Sequence, residues 1–214
     1  SYAPFCQSLK EVVTGDSVTS LNHHMFYGCK SLKNVTFGKN VEEIGGSAFN
    51  QCETLQSAAL GDKVETIGTY AFYGCGAMTS VNVSDKVKVI EPYTFCGCSS
   101  LQSVSGFAAV DSIKEYAFQN CSSLRSITIP ATAKEIGRRA FHSAGLKSLT
   151  IKDCSNPLSM VPYDNSSTSA GSPFFACPID TLYLGRDIDF RANTGYSSYA
   201  PFCQSLKEVV TGDS

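Results

Sequence analysis

At 214 residues, 43% hydrophobic and 17% charged, the chain is long enough to bury a sizeable core and too apolar to be disordered by composition. A net charge of −2 and a pI near 5.9 leave no basic stripe for nucleic acid, and no apolar run approaches the roughly 18 residues that a membrane helix needs. Ser1 opens no signal peptide, which predicts a mature form, a fragment or a cytosolic chain. Ten cysteines would suggest a disulfide framework in a small secreted protein, but their spacing points elsewhere.

The opening segment SYAPFCQSLKEVVTGDS, residues 1–17, returns unchanged as residues 198–214. Between these copies, phenylalanine recurs every 23 residues, at Phe26, Phe49, Phe72, Phe95, Phe118 and Phe141. Cysteine follows three residues later at Cys29, Cys52, Cys75, Cys98 and Cys121. A leucine slot comes next (Leu32, Leu55, Met78, Leu101, Leu124), then Val35, Ala58, Val81, Val104 and Ile127. Two residues on sit Phe37, Leu60, Val83 and Ile129, with Phe107 one residue out of step. An apolar pair closes each period: Val41 with Ile44, Val64 with Ile67, Val87 with Ile90, Val110 with Ile113, Ala133 with Ile136. Glycine often follows the pair (Gly45, Gly68, Gly137), suiting a positive φ or a close backbone approach.

A single period has too few inward apolar residues to fold alone, so stacked coils must merge them into one core. The period-2 alternation after the leucine slot predicts a short strand in every coil, and successive strands should form a parallel sheet. Two irregularities are expected. Phe174 comes 33 residues after Phe141, and the intervening Asp153–Ser172, rich in Ser, Asn and Pro, reads as a protruding loop. A smaller one runs from Asp187 to Ser198. The identical ends imply a larger unit of eight coils, offset by 197 residues, that begins again at residue 198. Further repeats of the same chain are expected to continue the solenoid.

Two stretches carry a family resemblance: Ala48-Phe49-Asn50-Gln51-Cys52-Glu53-Thr54-Leu55 and Ala117-Phe118-Gln119-Asn120-Cys121-Ser122-Ser123-Leu124-Arg125-Ser126-Ile127-Thr128-Ile129-Pro130. Their pattern resembles the BspA-type, or treponemal-type, leucine-rich repeat. The resemblance implies one domain over residues 1–214: a leucine-rich-repeat solenoid, a β-rich right-handed superhelix of about eight to nine coils. Its parallel sheet would lie on the concave side, with irregular or short helical structure on the convex side. It also implies an exported, cell-surface protein that adheres to host proteins or other cells. Unlike ordinary leucine-rich repeats, the pattern lacks an Asn ladder, so that hydrogen-bonding spine must be replaced.

Chemistry is sparse. A cysteine column along a solenoid does not converge tetrahedrally on a metal, and parallel side-chain vectors from stacked coils suit disulfides poorly. Buried thiols acting as small hydrophobes are the expectation. A metal site at Cys96-Gly97-Cys98 and a Cys154–Cys177 bridge are the alternatives. His23, His24 and His142 have no nucleophile and orienting group arranged around them. No phosphate-binding loop or paired-carboxylate motif occurs, so neither enzymatic activity nor a cofactor is expected.

The outward strand positions are more informative. Lys33, Thr36, Gln56, Asn82, Gln102, Arg125, Thr128, Lys147 and Tyr183 would line one small, polar, mildly basic face. It reads either as a plain solvated sheet or as a broad, shallow site for a host or cell-surface protein or a glycan. A spacer array with no ligand of its own is the competing function, and a site on the insert, with Met160, Tyr163 and Phe175, is a weaker third. Sequons stand at Asn34, Asn82, Asn120 and Asn165; Asn120, beside the cysteine column, is expected to be a poor acceptor.

Overall fold

The alternation in Leu55-Gln56-Ser57-Ala58-Ala59-Leu60 drives Leu55, Ala58 and Leu60 inward and leaves Gln56, Ser57 and Ala59 outside. The same happens in every period, and the result is a parallel β-solenoid. The computed structural model describes residues 8–160, 171–190 and 207–211.

The expected strands form a front column of nine: β1 (Glu11–Val13), β3 (Asn34–Thr36), β5 (Ser57–Ala59), β7 (Ser80–Asn82), β9 (Ser103–Ser105), β11 (Ser126–Ile129), β13 (Ser148–Ile151), β15 (Thr181–Leu184) and β17 (Glu208–Thr211). All pairings are parallel and keep the register of the period, as in Asn34 opposite Ser57 and Val35 opposite Ala58. The column divides between β9 and β11 into sheets of five and four strands.

The closing apolar pairs make a second, back column that the pattern did not signal as strands. It comprises β2 (Ser20–Leu21), β4 (Glu43–Ile44), β6 (Thr66–Ile67), β8 (Val89–Ile90), β10 (Ser112–Ile113), β12 (Glu135–Ile136), β14 (Leu158–Met160) and β16 (Ile188–Phe190). It too divides, between β6 and β8. The glycine after the pair serves close approach: a Cβ on Gly45 would stand 2.6 Å from the Leu21 carbonyl oxygen.

The remaining side of each coil is a run of tight turns, and no α-helix occurs among the described residues. Alternate amides divide the work. Phe49 N–H donates to Ala71 of the next coil at 2.8 Å, and Gln51 N–H to Tyr73 at 2.7 Å. The amides between them turn back locally, Asn50 to Ser47 and Cys52 to Phe49. This winding needs left-handed residues at fixed places, namely His24, Ser47, Tyr70, Tyr93, Tyr116 and Arg139, with φ between 51° and 60°.

The core is the stack of coil interiors. The rings of Phe26, Phe49, Phe72, Phe95, Phe118, Phe141 and Phe174 form one aromatic spine, with centroids 5.2–5.6 Å apart and planes within 16°.

The expected loop at 153–172 is narrower than its composition suggested. Leu158–Met160 is buried and pairs with β12, Met160 opposite Ile136, so it fills the slot of the closing apolar pair. The coil resumes by Gly171, which accepts a hydrogen bond from Arg139 N–H. Residues 161–170, including Tyr163 and the Asn165 sequon, lie outside the described residues. The irregularity expected from Asp187 likewise opens with a strand, Ile188 pairing with Leu158; residues 191–198 lie outside the description.

Candidate binding face and the thiol ladder

The front column holds all nine candidate residues exposed. Thr36 and Asn82 lie in one line of outward positions through Ala59, since Thr36 pairs with Ala59 and Ala59 with Asn82. Thr128, Thr150 and Tyr183 make the corresponding line on the other sheet. Lys33, Gln56 and Gln102 precede their strands and are linked by backbone hydrogen bonds from Gln56 to Lys33, Thr79 to Gln56 and Gln102 to Thr79. Lys147 bonds to Arg125 in the same way. The division between β9 and β11 therefore parts the face into a Lys33–Gln102 patch and an Arg125–Tyr183 patch.

Two members are held by the scaffold. The Arg125 guanidinium donates to the Gly145 carbonyl at 3.3 Å, and Asn82 Oδ1 accepts from the Ser105 hydroxyl at 2.9 Å. Tyr183 is 44% exposed and borders a hollow of about 460 Å³ with Thr150, Lys152, Asp153, Gly185 and Val210. Of the sequons, Asn34 and Asn82 stand out from the front face. Asn120 is exposed as well, because its left-handed turn position (φ 60°) points it away from the Cys121 core.

The cysteine column replaces the missing Asn ladder. Cys52 donates its thiol to the Phe26 carbonyl at 3.1 Å, Cys75 to Phe49 at 3.2 Å, Cys98 to Phe72 at 3.3 Å and Cys121 to Phe95 at 3.3 Å. Cys177 does the same for Phe141 at 2.8 Å across the longer coil. Each thiol is a second donor to a buried carbonyl one coil back that already accepts a backbone N–H from its own turn, as Phe49 does from Cys52 N–H and Phe141 from Ala144 N–H, so it ties adjacent coils together through the carbonyl's remaining lone pair. None of the eight described cysteines is in a disulfide, Cys154 and Cys177 included. Among the described residues, no group of three His, Cys, Asp or Glu is placed to hold a metal.

A donating thiol must keep its proton, and burial enforces this. Desolvation pushes Cys75, Cys98 and Cys121 well above the ordinary 9.0, and Cys96 to about 11. Folded values above unfolded ones leave the thiol contribution to stability intact below pH 9.0 and remove it as pH climbs from there through the folded values. The melting temperature should hold steady to about pH 9 and fall progressively above it. In Cys98→Ala, scanned from neutral to pH 11, the alkaline fall should be shallower than in the parent. Identical alkaline slopes would mean that the thiols are not the groups responsible.

A feature of the turn side went unread in the sequence, although the 23-residue spacing displayed it. Tyr70, Tyr93 and Tyr116 stack at centroid distances of 4.6 Å, and the Arg138 guanidinium lies 5.9 Å from the Tyr116 ring. Burial first, then the flanking Tyr116 and Tyr70, raises Tyr93 to about 12. Because the rings cover one another, the stripe offers edges rather than faces. His142 stacks on Phe175 at 5.3 Å, and burial, then Arg139, lowers its pKa.

The profile of the BspA type leucine rich repeat region matches residues 2–106 and 88–189, in six copies. The chain belongs to this family. BspA-type repeats thus account for the Phe spine and the thiol ladder as recurring parts of one unit. No curated protein matches the chain. Among solved structures, a leucine-rich repeat protein from Bacteroides ovatus is similar at 20% identity and a TM-score of 0.63, over 97% of this chain and 56% of that one. A leucine rich cell surface protein from Faecalibacterium prausnitzii is similar at 24% identity and a TM-score of 0.62, over 84% and 56%. A leucine-rich repeat protein from Eubacterium ventriosum matches at 24% and 0.55, over 78% and 48%. The chain spans about half the length of these structures, and the likeness is one of fold.

Proposed function

We propose that the BspA-type solenoid is a non-enzymatic binding module of a secreted or cell-surface protein, taking a protein or glycan ligand on its front face. One observation carries this reading: a laddered, aromatic-cored scaffold holds exposed, mostly polar side chains in strand register on its front face, in a Lys33–Gln102 patch and an Arg125–Tyr183 patch. Such a face is preorganised, so little conformational freedom is lost on binding. The buried, proton-holding cysteines favour a structural over a nucleophilic role. The F. prausnitzii protein described as a cell surface protein supports the location. A second reading, a spacer that carries other modules, is favoured by the identity of residues 1–17 and 198–214, which fits a stalk of recurring units continued by further repeats of the chain.

Binding to arrays of glycans and extracellular-matrix proteins tests both. Tyr183→Ala with Arg125→Ala should weaken a front-face ligand by tenfold or more, because Tyr and Arg are the anchor types worth about 2 kcal/mol each. Tyr27→Ala, on the turn side and 42% exposed, should leave it unchanged. The reverse pattern would move the site to the turns, and a complete lack of binding would leave the spacer.

A further inference from the structure

After β13 the regular corner is lost. In the preceding coil the buried Ala133 turns directly into the back column, but after β13 the chain runs outward through residues 153–157, with Asn156 and Pro157 exposed, before Leu158 rejoins it. Arg186 occupies the space left inside. It follows β15, yet its guanidinium donates to the carbonyls of Pro130 at 3.0 Å and Ala131 at 3.1 Å, which follow β11. The side chain thus reaches past the whole β13 coil. Arg186 is only 7% exposed. Two carbonyls satisfy donors but bring no countercharge, and the Nε–H is buried without an acceptor among the described residues. No carboxylate among those residues forms an ion pair with it. Burying a cation without an anion is costly.

Arg186 forms part of the wall of a half-open hollow of about 470 Å³. The other charged side chains lining it are Lys88, Lys134 and Asp111, so three cations face one carboxylate. Asp111 stands 3.4 Å from Lys134 and offsets one of them, whereas Lys88 has no ion pair among the described residues. Asn156 adds an amide and Cys154 a half-buried thiol. A concave surface with surplus positive charge concentrates anions. The volume is in the range of small-molecule sites, and a lone inorganic ion would leave most of it empty. We propose that this hollow binds a carboxylate or sulfate group carried on a sugar-sized ligand. Lys88 and Lys134 hold the oxyanion from the exposed side, and the buried Arg186 supplies the charge behind it. None of the nine front-face residues lines the hollow, so this inference does not depend on the front-face reading.

Titration of the full chain with glucuronate and with glucose 6-sulfate tests it, read by calorimetry and by the alkylation rate of Cys154 mapped by mass spectrometry. Cys154 is the one cysteine among the described residues that is not buried, so an occupied hollow should slow its labelling several-fold. Both charged sugars should protect it, neutral glucose should not, and added sodium chloride should weaken the protection. Lys88→Gln with Lys134→Gln, at exposed sites, should cut affinity tenfold or more. Lys30→Gln with Lys39→Gln removes the same charge from distant coils and should leave affinity within twofold. Arg186→Gln should abolish binding; should that variant fail to fold, the paired lysine variant still decides. Tyr183→Ala with Arg125→Ala should leave this binding unchanged. Neither charged sugar protecting Cys154, equal protection by glucose, or inorganic sulfate binding as tightly as the sugars would overturn the proposal. So would unchanged affinity in Lys88→Gln with Lys134→Gln.

Discussion

Phe95→Ala should lower the unfolding free energy by about 3–5 kcal/mol. Phe95 is fully buried at the middle of the spine, 5.6 Å from the Phe72 ring and 5.3 Å from the Phe118 ring. Its backbone is committed to the ladders, with N–H donating to Ala117 and the carbonyl accepting from Cys121. Those bonds hold the neighbouring coils apart at a fixed distance, so the void cannot collapse and the cavity cost is felt in full. In a linear array, each coil is stabilised by its two neighbours. Weakening a central coil should therefore also lower cooperativity, because the halves on either side begin to melt separately. Phe26→Ala is the informative partner. Phe26 is 7% exposed and stacks only on Phe49 within the spine, so its loss should be smaller and leave the transition sharp. Chemical denaturation read by circular dichroism distinguishes the two. Equal losses at Phe26 and Phe95 would mean that the spine is not the coupling element.

The front strands, the spine and the buried thiols were legible because each is written as a residue type at constant spacing. The alternation around Val35, Ala58 and Val81 carries its own strand signature. The back strands were not legible: Glu43–Ile44 and Thr66–Ile67 are two residues long, and one inward isoleucine is not an alternation. The ladder function of the thiols needed coordinates, because the acceptor of Cys75 is a backbone carbonyl 26 positions earlier. Leu158 and Met160 were hidden by their Ser, Asn and Pro neighbours, and composition outweighed the two apolar residues that rejoin the back column. Tyr70, Tyr93 and Tyr116 share the 23-residue spacing, so their column too is written in the sequence. For the binding face, the sequence yielded the columns but not their division between β9 and β11.

That division has a local cause, and it makes Gly106→Ala the other large effect. Gly106 sits at φ 69°, one residue before the displaced Phe107, and is the extra residue that puts this coil out of step. A Cβ there would run into the Val83 carbonyl oxygen and come within 2.9 Å of Asn82 Oδ1. Val83 cannot retreat freely, since its N–H donates to the Ser105 carbonyl at 2.8 Å. The left-handed backbone adds about 1–2 kcal/mol for any residue with a Cβ, and the backbone collision should bring the total to about 3 kcal/mol or more. Gly97→Ala separates the two contributions. Gly97 has φ 77°, but a Cβ there meets only ordinary contacts at 3.6 Å, and its counterparts Gln51 and Asn120 already carry side chains. It should cost about 1 kcal/mol, the backbone contribution alone. A Gly106→Ala loss no greater than that of Gly97→Ala, measured by denaturant titration, would refute the collision. The comparison also reaches the binding face, because relieving the collision means moving β9 relative to β7, within the Lys33–Gln102 patch. A ligand spanning both patches would then lose affinity in Gly106→Ala well below its unfolding midpoint, whereas one seated on the Arg125–Tyr183 patch alone would not.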